Sequence, residues 1–293
     1  MISVVVLTHN RLHLFQQCVE KVIARTSSKT REIVIWDNAS DDGTREYLDS
    51  LDDPRLRIVH HPENIAMNAK ARAVALTTCD YILELDDDII EAPPNWDETL
   101  LNAYVRLPDI GYLQASLVDD PNDSASQYLK YMREERNAFT PREIDGIQIL
   151  EGSTGGGCTI TSRELYERVG GFPEHRELAY WHLAQVYQSK IRKIGYRSAF
   201  LVGLELWHAG GPHYAAPSPE KYAWHAHAAK VRARKDRVKR LILAVPFATA
   251  LNKRFDWFDP PEPVYVPRPK TVTDADAARE TPGSGAGEEA ANG

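Results

Sequence analysis

Three consecutive aspartates, Asp86, Asp87 and Asp88, directly follow the apolar residues 81–85. A short apolar run of this kind predicts a buried strand. Adjacent carboxylates repel one another unless a cation or a set of hydrogen-bond donors neutralises them. Hard divalent cations such as Mg²⁺ and Mn²⁺ take oxygen ligands, and the same ions neutralise diphosphates. The triplet therefore predicts a metal and nucleotide site at the end of a strand. A polar loop after a strand is the alternative that the triplet alone leaves open.

The predicted strands over residues 2–7 and 32–36 also end in polar side chains. Those side chains are Thr8, His9, Asn10 and Arg11 after the first strand, and Asp37 and Asn38 after the second. Predicted helices separate the strands at short intervals, which favours an α/β fold with a parallel, doubly wound sheet flanked by helices. In such a sheet, ligands bind beyond the carboxyl ends of the strands. We therefore expect the polar clusters to meet at one edge and form a ligand site.

Three consecutive glycines, Gly155, Gly156 and Gly157, follow a further predicted strand over residues 147–150. Consecutive glycines are costly in regular structure, so they mark a place where the backbone bends sharply or approaches a ligand closely. An ordinary flexible turn is the alternative. Later in the chain, a helix is predicted over residues 178–194, and one or two strands follow it.

The character of the chain changes after residue 217. Residues 220–251 are predicted to form one or two helices, in which seven Lys or Arg residues crowd into positions 230–240, ahead of the apolar residues 241–247. Such a segment can lie on an anionic membrane surface. A solvated basic face on a helix that packs onto the domain is the alternative, which we favour because no aromatic face accompanies the basic residues. The sequence thus predicts a domain over residues 1–217, a helical extension over 218–258 and a Pro-rich, then disordered tail over 259–293.

Composition narrows the choice of function. The chain has 293 residues and 43% hydrophobic content, enough for a sizeable core. A formal net charge of −7 gives no support to nucleic acid as a partner. The three cysteines are widely spaced, which predicts neither a disulfide framework nor a thiolate zinc site. We find no signal-like segment and no apolar run approaching the ~20 residues of a membrane span, so we expect a cytoplasmic setting.

Taken in order, these motifs resemble those of the family 2 glycosyltransferases, which are inverting enzymes with the GT-A fold. Residues 4–11 are similar to the family's opening strand with its Thr-x-Asn-Arg turn, and residues 37–44 to its second-strand signature. Residues 86–88 stand where the family has Asp-x-Asp. Further similar segments are Asn64 with its helix, residues 163–173, residues 195–197 and His208. The resemblance covers residues 1–211 and is specific as a set, although each motif alone is weak.

The resemblance implies a role for each matched residue. Asp37 would hydrogen-bond the nucleotide base, and Asp86 or Asp87 would hold the ribose. Asp88 would ligate Mn²⁺ or Mg²⁺, and His208 would be a further ligand of the metal or the diphosphate. For His208, a buried or capping histidine is the alternative. The other implied nucleotide-pocket residues are Thr8, Asn10, Arg11 and Asn38. Backbone amides of Gly155, Gly156 and Gly157 would approach the donor sugar or the acceptor.

The activity that the resemblance implies is metal-dependent transfer of a sugar from a nucleotide-diphosphate donor to a hydroxyl, with inversion. The metal would stabilise the charge on the leaving nucleoside diphosphate. The implied acceptor is a glycan, a lipid-linked molecule or a cell-envelope component, with peripheral membrane contact as a related possibility. A nucleotidyltransferase is less favoured, because no Gly-rich phosphate loop follows the first strand.

The sequence departs from the family pattern in two places. Ala66 and Arg72 stand where Gly and Asn are usual, and Lys70 and Arg72 are expected to face either phosphate oxygens or solvent. More importantly, the acidic general base of the family is replaced by Leu183 and Ala184. An inverting transfer needs a base to accept the proton of the acceptor hydroxyl. The candidate replacements are Glu177 and His182, followed by Asp119 and Asp120. The alternative function is therefore a catalytically impaired module that binds nucleotide sugars.

Overall fold

A computed structural model describes residues 1–119, 139–174 and 183–209 of the chain. It also describes residues 230, 234, 237, 238, 241, 242 and 244–248. All of these belong to one compact unit, Met1–Pro261. The extension predicted over residues 218–258 lies largely outside the described residues, and the tail predicted over 259–293 lies entirely outside them. Both boundaries therefore stay predictions.

The strands of the described residues form one ten-stranded sheet. They are β1 Ile2–Thr8, β2 Thr30–Asn38, β3 Leu56–His61, β4 Tyr81–Asp86, β5 Ile89–Glu91, β6 Ile110–Asp119, β7 Thr140–Ile144, β8 Ile147–Glu151, β9 Cys158–Ser162 and β10 Arg197–His208. Their order across the sheet is β3-β2-β1-β4-β9-β6-β10-β8-β7, and β5 pairs with β10. The first four strands are mutually parallel, as predicted.

The rest of the sheet is mixed rather than parallel. Strand β9 runs antiparallel to both of its neighbours, β4 and β6. Strands β7 and β8 form an antiparallel hairpin. Its turn consists of Asp145 and Gly146, both with positive φ (49° and 77°), a combination that suits a tight hairpin and cannot join parallel strands. Among the described strand pairs that include a strand after β4, only β6 and β10 run parallel.

Helices cover both faces of the sheet. They are α1 Leu12–Lys21, α2 Thr44–Asp49, α3 Asn68–Val74, α4 Trp96–Val105, α5 Arg163–Arg168 and α6 Leu183–Arg192, with a short 3-10 helix at Ile23–Arg25. Val4 and Val6 belong to the core on the side of α1, α2 and α4, whereas Val5 belongs to the core on the side of α3, α5 and α6. Strand β1 is therefore buried on both faces, as its continuous apolar run predicts. In the part of the chain that the structure describes, no helix is long and apolar enough to cross a bilayer.

A buried polar network lies beneath the end of β4. Glu84, in the middle of the strand, accepts hydrogen bonds from Tyr112 at 2.6 Å and from Thr159 at 3.2 Å. Lys70 Nζ donates to Glu84 Oε2 at 3.1 Å and to Asp86 Oδ1 at 2.9 Å. Burial acts to lower the pKa of Lys70, but the two carboxylates outweigh burial and raise it. Lys70 is therefore a buried ammonium that fixes the direction of Asp86.

The Lys70–Glu84 pair yields a stability prediction. We expect Lys70→Met to lower the free energy of unfolding by about 3–5 kcal/mol, because it leaves a buried carboxylate without its cation. The double variant Lys70→Met/Glu84→Gln should recover most of this loss, since a neutral amide keeps the contacts to Tyr112 and Thr159. Urea denaturation followed by circular dichroism measures both effects.

The matched control is Arg72→Met on the same helix. Arg72 forms an exposed pair with Glu174 at 3.5 Å. Exposed pairs of this kind contribute about 0–1 kcal/mol, so the control should change stability little. A loss in Lys70→Met no larger than that in Arg72→Met would contradict the proposed importance of the buried pair.

Candidate functional site

The carboxyl ends of β1, β2 and β4 lie side by side, as the sequence pattern predicts. Strand β1 is the middle one of the three, because Thr8 pairs in register with Asp37 of β2 and Leu7 pairs with Asp86 of β4. Thr8 is buried, and its Oγ1 makes no well-formed hydrogen bond. The polar residues that follow these strands therefore share one edge of the sheet.

Asn10 connects the loops after β1 and β2. Its backbone N–H donates to Ser40 Oγ at 3.0 Å, and its side-chain Oδ1 accepts from the backbone N–H of Asp41 at 2.8 Å. Asn10 has a φ of 50°, in the left-handed region that asparagine tolerates better than most residues. The residue type thus suits both the backbone conformation and the reciprocal hydrogen bonds. Asn10 lies at the predicted site, and in this structure its contacts shape the loops.

Side chains of the protein itself pair with all three aspartates of the triplet. Arg11 Nη1 donates to Asp87 Oδ1 at 3.0 Å and to Asp88 Oδ2 at 2.6 Å. His208 Nε2 lies 3.3 Å from the other Asp88 oxygen, Oδ1. Asp86 is held by Lys70. The sequence analysis assigned Arg11 to the nucleotide pocket and Asp88 to a metal, whereas the structure pairs these two residues with each other.

The two buried aspartates have opposite pKa shifts. Burial raises the pKa of Asp87 to about 6, with Arg11 opposing the rise and the neighbouring Asp88 adding to it. Burial also acts to raise the pKa of Asp88. In that case, His208 and Arg11 outweigh burial and hold the pKa well below its ordinary value. Asp88 is therefore the member of the pair that stays ionised most readily.

Asp88 and His208 fit a divalent ion. Asp88 is 8% exposed, and its Oδ1 lies 3.3 Å from His208 Nε2. A carboxylate oxygen and an imidazole nitrogen are both accepted by Mn²⁺, and a carboxylate alone suits Mg²⁺. Within residues 1–119, 139–174 and 183–209, no group of three or more His, Cys, Asp or Glu side chains could hold a metal ion. The chain would thus supply two ligands and leave the others to a diphosphate and water, an arrangement that is usual for Mg²⁺.

Asp37 is fully buried, and its carboxylate is engaged within the protein. Oδ1 accepts from the backbone N–H of Ser40 at 2.9 Å, and Oδ2 lies 3.0 Å from His60 Nδ1 and 3.4 Å from Arg45 Nη2. Burial acts to raise the pKa of Asp37, but these hydrogen bonds and the Arg45 charge outweigh it and lower the pKa. The base-binding role that the resemblance implies for Asp37 stays a prediction, because in this structure the side chain organises the loop after β2.

Asn38 likewise bonds to the protein rather than facing a ligand. Its Nδ2 donates to Asn64 Oδ1 at 2.7 Å, and its Oδ1 accepts from the backbone N–H of Ile65 at 3.0 Å. These contacts hold the loop before α3, in which Ala66 has a φ of 50°. Ala66 therefore adopts a backbone conformation that glycine favours.

The three glycines cross the end of β4 next to Asp86. The backbone N–H of Asp86 donates to the carbonyl oxygen of Gly157 at 2.7 Å. Gly157 has a φ of 99°, and a Cβ there would lie 2.8 Å from Leu117 Cδ1. At Gly156, a Cβ would lie 3.6 Å from Lys70 Nζ. The segment is thus packed against the site, and a side chain at Gly157 is excluded.

Three of the four candidates for the catalytic base lie outside the described residues. These three are Glu177, His182 and Asp120. Asp119 is the last residue of β6, and its backbone pairs in register with His208 of β10. All four residues stay predictions for the base.

The sequence analysis missed several residues that support the site. Glu84 carried a signal, because a carboxylate inside an apolar strand needs a buried partner. Lys70 was expected to face phosphate or solvent, but it faces Glu84 and Asp86. Arg45 and His60, which contact Asp37, carried no signal of their own, since both belong to segments with exposed polar residues.

Comparisons with known proteins identify the family and the fold. Residues 3–170 match the model of glycosyl transferase family 2. A curated relative from Haloferax volcanii, glucosyl-dolichyl phosphate glucuronosyltransferase, is 28% identical over 123 residues. That alignment covers 41% of this chain and 39% of the relative, so the chain spans well under half of the length of this relative.

Two solved structures share the fold. One is the mannosyltransferase PcManGT from Pyrobaculum calidifontis in complex with GDP-Man and Mn²⁺, with a TM-score of 0.50 and 24% identity over 80% of this chain and 60% of that chain. The other is GalNAc-T7 with UDP, GalNAc and Mn²⁺, with a TM-score of 0.58 and 18% identity over 75% of this chain and 45% of that chain. The family match spans more than half of the chain, and the protein therefore belongs to glycosyl transferase family 2 and has the α/β architecture of the GT-A fold.

Proposed function

We propose that the protein is a metal-dependent, inverting glycosyltransferase that moves a sugar from a nucleotide-diphosphate donor to a hydroxyl acceptor. One observation carries this proposal. In a chain of this family, Asp86, Asp88 and His208 meet at one edge of the sheet, beside the glycine segment 155–157. Carboxylate and imidazole side chains suit a diphosphate with its metal ion better than an apolar ligand, and the glycine backbone beside them leaves room for a ligand to come close.

The side chains at this edge would have separate roles in donor binding. Asp86 is tethered by Lys70 through one oxygen, and its side chain remains 35% exposed, so the carboxylate can accept hydrogen bonds from ribose hydroxyls. Asp88 and His208 would hold Mn²⁺ or Mg²⁺, which supplies charge stabilisation for the leaving diphosphate. Thr8, lying between the ends of β2 and β4, contributes a buried hydroxyl beside Asp87.

The base that accepts the acceptor proton is proposed to be Glu177 or His182. These residues stand just before α6, the helix whose first residues, Leu183 and Ala184, replace the acid of the family. The same replacement supports the alternative function, a nucleotide-sugar-binding module with impaired catalysis. Rapid sugar transfer or donor hydrolysis by the purified protein would exclude that alternative.

The partners we propose are a nucleotide-diphosphate sugar and a glycan, lipid-linked or cell-envelope acceptor, with no nucleic acid. The curated relative is named for action on a glucosyl-dolichyl phosphate, which supports a lipid-linked acceptor. Both structural neighbours contain Mn²⁺ together with a nucleotide or nucleotide sugar, which supports the cofactor and the donor class.

Calorimetry with a donor panel tests the proposed function. We expect the protein, in the presence of Mn²⁺, to bind at least one member of a panel of UDP-, GDP- and dTDP-sugars. Asp86→Ala should weaken that binding by at least about tenfold, because hydrogen bonds to a charged group contribute about 1.5–3 kcal/mol. The matched control is Asp80→Ala at the other end of β4, where the side chain is 80% exposed. Failure to bind any donor would end the proposal.

The extension supports a peripheral contact with an anionic membrane. Its described basic residues, Lys230, Arg234 and Arg237, are exposed. The apolar side chains of Leu241 and Phe247 are also exposed, by 67% and 73%. Basic and apolar groups that are exposed on one short segment suit the headgroup region of an anionic bilayer. We propose this contact because it would bring the protein close to a lipid-linked acceptor. We also propose a cytoplasmic location.

Vesicle co-sedimentation tests the membrane contact. We expect binding to vesicles that contain phosphatidylserine and little binding to phosphatidylcholine vesicles. Replacing Lys230, Arg234 and Arg237 by Gln should weaken binding by at least about tenfold, since each basic residue near the surface contributes about 1 kcal/mol. The matched control replaces three exposed basic residues of the domain, Arg57, Arg106 and Lys193, by Gln. Equal binding by the two triple variants would contradict the contact.

A further inference from the structure

Asp88 lies between a guanidinium on one carboxylate oxygen and an imidazole on the other. Arg11 Nη1 lies 2.6 Å from Asp88 Oδ2, and the same nitrogen lies 3.0 Å from Asp87 Oδ1. The second oxygen of Asp88, Oδ1, lies 3.3 Å from His208 Nε2. Both aspartates are more than nine-tenths buried. The guanidinium therefore neutralises the same carboxylate that would receive a divalent ion.

We propose that Arg11 is a resident counter-ion that competes with the divalent ion for Asp88, and that a diphosphate draws Arg11 away from the aspartates. The second half of this proposal rests on the proposed function, because it assumes a diphosphate ligand. The competition itself depends only on the contacts among Arg11, Asp87 and Asp88.

Competition follows from the closeness of the charges. A divalent ion at Asp88 would share a carboxylate with a guanidinium that is already hydrogen-bonded to it. Two cations at this separation repel each other, and the repulsion is weakly screened because the aspartates are buried. The free protein should therefore bind Mn²⁺ more weakly than an exposed group of three aspartates would suggest.

Arg11 has the freedom to change partners. Its side chain is 25% exposed, and its Nε and Nη2 make no hydrogen bond with any residue in the described parts of the chain. A guanidinium presents paired donors that match phosphate oxygens, so a diphosphate can replace the two carboxylate contacts. The divalent ion can then take over the neutralisation of Asp88.

The exchange couples the two ligands. A diphosphate that removes Arg11 from Asp88 raises the affinity for the metal, and the metal raises the affinity for the diphosphate by the same factor. The free protein is thus expected to take up the metal together with the diphosphate rather than before it.

Mn²⁺ titration of the ligand-free protein tests the competition. Electron paramagnetic resonance measures free Mn²⁺ in the wild type and in Arg11→Met/Asp87→Asn, a double variant that keeps the net charge and leaves Asp88 without its guanidinium. We expect the variant to bind Mn²⁺ at least about tenfold more tightly. The matched control, Arg57→Met/Asp80→Asn, makes the same exchange on the surface and should leave the affinity unchanged. A variant that binds no more tightly than the wild type would overturn the proposal.

Thermal unfolding tests the coupling, with inorganic pyrophosphate as the probe. In the wild type, excess Mn²⁺ and pyrophosphate together should raise Tm by more than the sum of their separate effects. In Arg11→Met/Asp87→Asn, this excess should shrink, because Mn²⁺ alone already binds. An equal excess in both proteins would overturn the role of the diphosphate. Failure of sugar transfer would instead count against the proposed function, and it would leave the Mn²⁺ titration unaffected.

Discussion

Neutralising four carboxylates at the end of one buried strand is the constraint on which the rest of the site depends. Glu84 and residues 86–88 lie within five positions of β4. Their partners come from three separate parts of the chain: Lys70 from α3, Arg11 from the loop after β1, and His208 from the end of β10. Buried charges of one sign are strongly unfavourable without partners, so these contacts tie α3, β1 and β10 to the end of β4.

The sequence was sufficient to predict the strands that carry the site and the edge at which they meet. Continuous apolar runs identify β1, β2 and β4, and parallel order alone brings their polar ends together. The sequence did not predict the partners of those polar residues. Asp37 and Asn38 were assigned to a nucleotide, yet their hydrogen bonds go to Ser40, His60 and the loop before α3. The local sequence shows that a side chain is polar. Its hydrogen-bond partners, however, come from loops that fold back from distant positions in the chain.

Two unusual features of the sequence are explained by the structure. Ala66 keeps the left-handed backbone of a glycine, because Asn38 and Asn64 hold its loop from both sides. Lys70 in an Ala-rich helix and Glu84 in an apolar strand each look out of place, but the two side chains face each other and neutralise each other. The later strands were harder to predict, because an apolar run carries no information about direction, and β9 enters the sheet antiparallel.

The cations already paired with the aspartates also change the electrostatics of ligand binding at this edge. If the aspartates were unpaired, the metal would be needed to relieve their repulsion, and the fold of the loop would depend on it. Here Lys70 and Arg11 supply part of that relief and His208 contacts Asp88, so the repulsion is reduced before any ligand arrives. Binding of an anionic donor with its cation is then an exchange of partners at the aspartates. Such an exchange makes the contacts of Arg11 as important to metal affinity as those of the metal ligands themselves.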